Sequence, residues 1–524
     1  MSLNHNTAPG PPATSEDPGY LSHRQILIVL VGLMAGMFLA ALDQSILGTA
    51  LPRITSELGG LDKLSWVVTA YLLTATAATP LWGKISDLYG RRITFQAAIT
   101  IFVLASMLSG LAQSIEQLIA FRAVQGLGGG GLFALALAVI GDVIPPRERG
   151  RYQGYFGVVF GSSSVLGPVL GGWFTEGPGW RWIFYINVPI GIAALVITSM
   201  ALKMPVVRRD HKIDYLGAAT IVAAVSSLLL YTAWAGPDYG WGSTLGLSLV
   251  AAGVLLSLLF VVVESRVSEP IIPLELFRDS VFSYSVIYTF ITGFAMFGAM
   301  IFIPMYLQVV DGMSPTTSGL AMLPMVVGMF STSIAAGQAI TRTGRYKIYP
   351  IMAAITIAVA LFLLASLDVD SPYWQAAVAM YVMGAGLGLQ MQVLVTVVQN
   401  AVDRRHMGAA TSSVTFFRQM GGSFGTAVFG AIITSQVAAH LAELLPSLPP
   451  GAAPNTTDVE AIRGLPQQIQ DPVIQAFSLS MHDAFLAAVP VVLLALVFAC
   501  LIKERPLTTR ESAEEQAEAS MAAH

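Results

Sequence analysis

The sequence predicts an all-α integral membrane protein with fourteen transmembrane helices. The chain has 524 residues, of which 55% are hydrophobic and 11% are charged, whereas a soluble domain carries about 25% charged residues. A membrane core about 30 Å thick needs roughly 20 apolar residues per helix, and these apolar runs are far longer than the strands of a membrane barrel. Fourteen charge-free apolar windows have the required length: 25–42, 64–83, 93–115, 123–141, 152–175, 182–202, 215–237, 239–263, 280–310, 312–341, 348–367, 371–402, 419–442 and 484–502.

Basic residues are distributed unequally between the two ends of these windows. If the windows alternate in direction, 21 of the 27 Lys and Arg residues lie on the side of the termini, four lie on the opposite side, and Arg122 and Arg418 lie inside helices. Cytoplasmic loops of membrane proteins carry an excess of Lys and Arg. We therefore expect a multi-pass protein of the inner (plasma) membrane with both termini in the cytoplasm.

The composition argues against several other classes of protein. The net charge of −4 is too small to indicate a nucleic-acid partner. Cys500 is the only cysteine in the sequence, which rules out an intrachain disulfide and a cysteine metal cluster. No nucleophile–base or metal-ligand spacing is present, so we expect a protein that is not an enzyme and that needs no cofactor.

Two segments repeat at a nearly constant spacing. Residues 83–92 match residues 337–346 at an offset of 254, and glycines around the fourth window match glycines around the twelfth at an offset of 258. Parallel six-helix repeats are a known plan of transporters. The predicted parts are a cytoplasmic tail, a six-helix bundle, two inserted helices, a second six-helix bundle and a second tail, at 1–24, 25–203, 204–265, 266–502 and 503–524. An external loop at about 443–481 is expected before the last window.

An acidic residue, Asp43, ends the first window. A charged side chain at a helix centre costs about 2.5–3.5 kcal/mol on insertion scales, and such residues usually mark ion or substrate pathways. Arg122 lies at a similar depth in the fourth window and is the expected partner of Asp43. Burial raises a carboxyl pKa and a nearby cation lowers it, so a carboxylate held between these effects can bind and release a proton. We predict proton coupling by this pair; the alternatives are a structural ion pair and an Arg122 that caps carbonyls or snorkels outward.

The segment after the second window has the composition of a tight, charged turn. Glycines allow close passage, and Asp87 suits a helix N-terminus, where the dipole favours an anion. Arg91 and Arg92 are expected to reach Asp142, at the cytoplasmic end of the fourth window. The sequence predicts a latch on the cytoplasmic face, with a plain positive-inside loop as the alternative. The latch residues are Gly83, Asp87, Gly90, Arg91, Arg92 and Asp142.

The fifth window contains a run of small residues interrupted by one proline. Small residues let helices pack closely, and proline removes a backbone hydrogen bond and kinks a helix. We expect this run to seal the protein against leak, with ordinary glycine packing as the alternative. The residues concerned are Gly161, Gly167, Pro168, Gly171 and Gly172.

Polar and flexible side chains in several windows are candidates for a substrate cavity. Methionine adapts to varied apolar shapes, although it also fills ordinary helical cores. Arg418 lies about twelve residues, roughly 18 Å, along its helix, where it either faces the cavity and contacts substrate or an acid, or satisfies carbonyls at a helix crossing. The predicted cavity residues are Gln44, Met296, Met300, Gln390, Gln392 and Arg418.

These motifs together resemble the major facilitator superfamily, and within it the fourteen-helix drug:proton antiporter family. Residues 83–92 and 122–126 resemble the superfamily's loop motif and helix-four motif. Residues 161–172 resemble the helix-five antiporter motif, and residues 42–52 resemble the helix-one motif of the fourteen-helix branch. The resemblance covers nearly all of the chain and implies the major facilitator fold with two inserted helices. One departure is Gly48, where asparagine is common in the family.

The resemblance also implies a function. It indicates a proton-coupled antiporter that exports amphipathic, cationic or hydrophobic drugs by alternating access, with Asp43 as the proton-coupling carboxylate and the proton gradient as the energy source. The expected partners are a small-molecule substrate, protons and membrane lipids, and the expected state is a monomer. The alternatives are a dedicated exporter of a lipid or of a secondary metabolite such as an antibiotic, and a ligand sensor that does not transport.

Overall fold

The computed structural model describes residues 23–58, 63–144, 146–202, 214–234, 240, 242–391, 393–403, 406–445, 462 and 465–507. Within these ranges the chain forms helices and no strand. Because the bilayer offers no hydrogen-bond partner to the backbone, spanning segments satisfy their own N–H and C=O groups as helices. The fold is therefore all-α, as the composition predicts.

The N-terminal half is a bundle of long helices joined by short turns. Ser114 ends one such turn, because its Oγ accepts a hydrogen bond from the backbone N of Gln117 at 3.3 Å and so caps the helix that follows. The helices are α1 (His23–Leu58), α2 (Leu64–Tyr89), α3 (Arg91–Gly110), α4 (Ile115–Val143), α5 (Pro146–Glu176), α6 (Trp182–Tyr185) and α7 (Asn187–Ala201).

The rest of the chain forms the inserted pair and the C-terminal half. A short 3₁₀ helix, Leu274–Arg278, precedes the C-terminal half, and Asp279 caps the first helix of that half through the backbone N of Val281 at 2.8 Å. The helices are α8 (Tyr215–Trp234), α9 (Thr244–Glu264), α10 (Ser280–Val309), α11 (Pro315–Ala321), α12 (Leu323–Thr343), α13 (Ile348–Ala365), α14 (Tyr373–Gln390), α15 (Val393–Ala401), α16 (Met407–Leu444) and α17 (Gln467–Leu501).

The described helices account for the predicted membrane spans. Within the described residues, twelve helical segments are long and apolar enough to cross a membrane. Helices α2 and α5, of 26 and 31 residues, are not among the twelve, and their sequences are rich in threonine and in glycine and serine respectively. Both nevertheless pack inside the bundle, α2 against α4 and α5 against α1. With these two, the described part of the chain has the fourteen membrane helices that the sequence predicts.

Helix boundaries differ from the predicted windows where a charge interrupts an apolar run. Helix α1 continues to Leu58, so Asp43 lies in mid-helix and not at its end. Within the predicted external segment at 443–481, residues 467–481 form the first part of α17. The buried side chains of Val473, Phe477 and Met481 give this extension an apolar face that packs on the core. Residues 446–461 lie outside the described residues, as do both predicted tails apart from 23–24 and 503–507.

The two halves repeat each other in three dimensions. In each half, glycines of one helix pack so closely on a neighbour that a Cβ would overlap a backbone carbonyl: Gly126 with Tyr71, Gly130 with Ala75, Gly384 with Met325 and Gly388 with Met329. The glycines are 258 residues apart and their partners 254, the two offsets found in the sequence. Helices α2 and α4 therefore correspond to α12 and α14. The predicted domain boundaries themselves stay predictions.

Helices α8 and α9 pack on each other and lie beside the junction of the two halves. Ile221 and Val225 of α8 and Phe260 of α9 share an apolar cluster with Ala77 of α2 and Phe416 of α16. The halves also meet through α5 and α12. Each half thus contributes helices to the boundary between the halves.

Candidate functional site

Asp43 and Arg122 meet in the interior of the N-terminal half. Each side chain is 1% exposed, and Nη1 of Arg122 lies 2.5 Å from Oδ2 of Asp43. Helix α4 brings the guanidinium to α1 at the depth that the sequence analysis gives the two residues. The guanidinium also lies 4.4 Å from the centre of the Tyr71 ring, a cation–π geometry. The structure thus brings the predicted pair together, while the role of the pair remains a prediction.

Two neutral polar side chains complete the environment of Asp43. The Nε2 of Gln125 donates to Oδ1 of Asp43 at 2.8 Å, and its Oε1 accepts from Arg122 at 2.9 Å. Asn187, the first residue of α7, donates from Nδ2 to Oδ1 at 3.2 Å and to Ser106 Oγ at 3.0 Å. Sequence reasoning missed both residues as members of the site. Available signals were the spacing of Gln125, three residues after Arg122 and so on one helical face, and an asparagine inside an apolar window.

The side chains around Asp43 all donate hydrogen bonds to its carboxylate. Both oxygens of Asp43 accept hydrogen bonds from side chains of α4 and α7, so the ionised form is fully solvated by protein groups. A buried ion pair is costly to form and costly to break on one side only. Loss of either charge is therefore expected to disturb the packing of α1 on α4.

The small residues of α5 lie next to the same part of α1. A Cβ at Gly167 would overlap the side chain of Ser45, whose Oγ donates to the carbonyl of Ser163 at 2.8 Å. A Cβ at Gly161 would overlap Val326 and Phe330 of α12, across the boundary between the halves. The predicted close packing is therefore present at both of these glycines.

The other residues of the predicted α5 seal differ from this pattern. A Cβ at Gly172 would meet no atom within 4 Å, so no close contact requires glycine there. Gly171 is buried. Pro168 falls inside α5, but its side chain lies outside the described part of the chain. The predicted kink and the seal stay predictions.

The predicted latch forms a charged cluster between the halves. We call the membrane face on which α2 and α3 meet the basic face, because most Lys and Arg residues of the sequence are assigned to it. Arg91 lies 2.6 Å from Asp87 through Nη1 and 2.6 Å from Asp142 through Nε. The carboxylate of Asp87 accepts from the backbone N of Gly408 and of Ala409, both at 2.9 Å. Asp87 therefore lies at the N-terminus of α16, as expected for an anion that the helix dipole stabilises.

Glycines let these elements approach. A Cβ at Gly83 would overlap the side chain of Ser412 and the carbonyl of Gly408 on α16. Gly90 has φ = +91° between α2 and α3, a conformation that favours glycine. Arg92 does not reach Asp142, contrary to the prediction. It follows Arg91 on α3, and successive helical residues point about 100° apart, so a single arginine of the two faces the cluster.

A small cavity lies inside the C-terminal half. Three predicted substrate residues line it, namely Met296, Gln390 and Arg418, together with Thr289, Thr292, Gly293, Met391, Leu394 and Val414. The other predicted cavity residues are elsewhere or undescribed. Met300 packs against the apolar core of the C-terminal half, Gln44 is exposed on α1, and Gln392 lies outside the described residues.

The sequence belongs to a known family. The Major Facilitator Superfamily profile matches residues 33–426, and the chain therefore belongs to the major facilitator superfamily. It is a multi-pass membrane transporter and not an enzyme. The fold class predicted from the resemblance is thereby confirmed.

Relatives and solved structures agree with this assignment. An uncharacterized MFS-type transporter of Mycobacterium tuberculosis is 41% identical over 485 residues, which cover 92% of this chain and 70% of that protein. The multidrug transporter protein MdtP of Bacillus subtilis is 35% identical over 524 residues, which cover 95% of this chain and 96% of that protein. The proton:xylose symporter XylE matches with a TM-score of 0.61 at 14% identity, covering 95% of this chain and 100% of that one. At this identity XylE supports the fold alone.

Proposed function

We propose that the protein is a proton-coupled antiporter that exports amphipathic small molecules by alternating access. The observation that carries the proposal is the buried Asp43, whose ionised form is held by Arg122, Gln125 and Asn187. The resemblance of residues 161–172 to the helix-five antiporter motif supports export, and so does the likeness to the multidrug transporter MdtP. We place the protein in the inner membrane with the basic face toward the cytoplasm.

The proposed cycle exchanges a proton for substrate across the membrane. Facing outward, Asp43 takes a proton and substrate leaves; facing inward, the proton leaves and a substrate enters. One charge that crosses 100 mV is worth about 2.3 kcal/mol, so one or two protons drive useful export. The ion pair between Asp43 and Arg122 re-forms each time the proton departs. Exclusion of one ligand by the other links the two events.

The charged latch supplies the cytoplasmic gate in this proposal. Asp87 of the N-terminal half binds the N-terminus of α16 in the C-terminal half, so rocking of the halves must break these contacts. A second contact crosses on the same face, where Nε2 of Gln399 donates to the carbonyl of Leu137 at 2.9 Å. Asp87→Asn weakens the first contact and leaves the second. We expect greater access of a water-soluble thiol reagent to a cysteine placed at Ser412 in that variant.

Transport in inverted membrane vesicles tests the proposal. We expect wild-type vesicles to take up ethidium when acidified inside, and an uncoupler to abolish the uptake. Asp43→Asn should remove uptake driven by the pH gradient while the protein remains folded. Asp370→Asn, which changes an exposed acid in a loop, is the control and should transport like wild type. Full proton-driven uptake by Asp43→Asn contradicts the proposal, and ethidium binding without any uptake favours the sensor alternative.

A further inference from the structure

Arg418 is a second arginine within the membrane helices, and it lacks the ion-pair and hydrogen-bond partners that Arg122 has. Among the residues that the structure describes, Arg418 forms no ion pair and no hydrogen bond, whereas Arg122 is bonded to Asp43 and Gln125. A guanidinium stays charged in a protein, and an isolated charge within a membrane bundle is costly. The sequence analysis left open an acid or a backbone carbonyl as its partner. Neither is present in the described chain.

The lining of the cavity beside Arg418 carries one cation and no anion. None of the nine residues that line it is acidic. The hydroxyls of Thr289 and Thr292 donate within α10, to the carbonyls of Ser285 at 2.7 Å and Tyr288 at 3.0 Å. The amide of Gln390, which is 6% exposed, has no hydrogen-bond partner in the described chain. Among the lining side chains, the donors left for a ligand are therefore Arg418 and Gln390.

Close helix packing places Arg418 in this position. A Cβ at Gly293 of α10 would overlap the carbonyl of Arg418 on α16, so the two helices touch at this level. Met296, Leu394 and Val414 give the same cavity an apolar wall. The cavity volume is about 10 Å³ in this conformation, which is room for about one water molecule, so an amphipathic ligand needs a wider conformation of the same site. A guanidinium fork matches the geometry of a carboxylate.

We propose that Arg418 and Gln390 bind the carboxylate of an amphipathic acid, and that such acids are substrates of the pump. This inference rests on the proposed function and names its substrate class. The apolar body of the acid lies against Met296 and its neighbours, and the carboxylate supplies the negative charge that the chain does not. The site is in the C-terminal half, separate from the Asp43 pair in the N-terminal half. The cationic substrates expected from the resemblance are the competing outcome.

Binding of three matched fluorescent probes to the purified full-length protein, in an uncharged detergent, tests the site. The probes are dansyl-undecanoic acid, its neutral amide and its trimethylammonium analogue. We expect wild type to bind the acid at least about tenfold more tightly than the amide, equivalent to about 1.4 kcal/mol. Arg418→Gln should remove this preference while amide binding stays within twofold of wild type, which also shows that the variant is folded. Arg418→Lys should keep part of the preference, because it keeps the charge but not the fork.

Arg278→Gln is the matched control, since it removes an exposed arginine outside the cavity, and it should bind like wild type. A wild-type protein that prefers the cation, or an Arg418→Gln variant that keeps the preference for the acid, overturns the inference.

Uptake of the same probes into proteoliposomes separates the two proposals. Proton-driven uptake of the amide or the cation without the acid refutes the substrate class alone. No proton-driven uptake of any probe refutes the proposed function. Displacement of the bound acid by phosphatidylglycerol, together with absent acid uptake, would assign the site to a lipid headgroup and overturn the substrate class.

Discussion

The two arginines within the membrane helices differ in their surroundings. Arg122, in the N-terminal half, is 1% exposed and bonded to Asp43, Gln125 and the ring of Tyr71. Arg418, in the C-terminal half, lines a cavity and has no bonded partner in the described chain. Charged and polar groups of the protein satisfy Arg122, whereas the described chain offers no such group to Arg418. This difference is the basis of our proposals that the N-terminal half couples protons and that the C-terminal half binds substrate.

The largest expected effect comes from breaking the satisfied pair on one side. Arg122→Gln leaves the Asp43 carboxylate buried without its cation, which costs about 3–5 kcal/mol for a buried pair. Thermal unfolding in detergent should show a clear loss of stability. Adding Asp43→Asn should restore more than half of the loss, because no charge is then left unpaired. Strictly additive losses in the double variant would show that the two residues do not interact.

The same kind of change at Arg418 should have the opposite sign. Arg418→Met removes an unpaired charge and keeps a long, flexible side chain, so we expect stability to be unchanged or raised by up to about 3 kcal/mol. The measurement is the same unfolding experiment without added substrate. A loss as large as that of Arg122→Gln would reveal a structural partner for Arg418 and end the contrast between the two sites.

Glutamines beside the two arginines sharpen the comparison. Gln125→Leu removes hydrogen bonds to both Asp43 and Arg122, and an unsatisfied buried group costs about 1–3 kcal/mol. Gln390→Leu removes a buried amide that has no hydrogen-bond partner in the described chain, so the free energy of unfolding should be unchanged or raised. Both variants can be compared by thermal unfolding in one buffer. Equal losses for the two would mean that Gln390 has a structural role.

An exposed ion pair near the end of α1 should give the smallest change in stability among these variants. Arg181 Nη1 lies 2.5 Å from Glu57 Oε1, with side chains 35% and 44% exposed, and such pairs contribute less than about 1 kcal/mol. Hydrogen bonds from Arg181 and Trp180 lower the pKa of Glu57. A lowered carboxyl pKa stabilises the fold at neutral pH, and this contribution is lost as the pH falls through the lowered value. Arg181→Gln should therefore cost little at neutral pH and nothing in strong acid, and a cost that persists in acid would contradict this reasoning.

The sequence predicts best the features whose absence would leave a buried charge or a backbone group unpaired at a large cost in free energy. An acid and an arginine at the same depth in apolar windows are expected to form an ion pair, and Asp43 and Arg122 do so. The fourteen helices follow from the need to bury the backbone in lipid. The helix limits follow less well, because a window search stops at the first charge, while α1 runs through Asp43 to Leu58.

Other parts depend on which face of a helix meets which neighbour. Arg91 and Arg92 are adjacent and chemically alike, yet Arg91 is the one that reaches Asp142. Asn187 is a single polar residue whose contact with Asp43 requires the packing of α7 on α1. For the same reason, the sequence does not show whether Arg418 has a hydrogen-bonding partner. The packing of distant helices decides which neighbour a side chain meets in the bundle. Residue spacing along one helix does not give this information.

The most direct test of proton coupling is to observe the Asp43 carboxyl itself. We predict that the infrared difference spectrum of the purified protein, recorded on acidification, contains a protonated carboxyl band that is absent from Asp43→Asn. The band should appear over the pH range in which vesicles export. Identical difference spectra for wild type and Asp43→Asn would show that this carboxyl keeps one protonation state and would contradict the account.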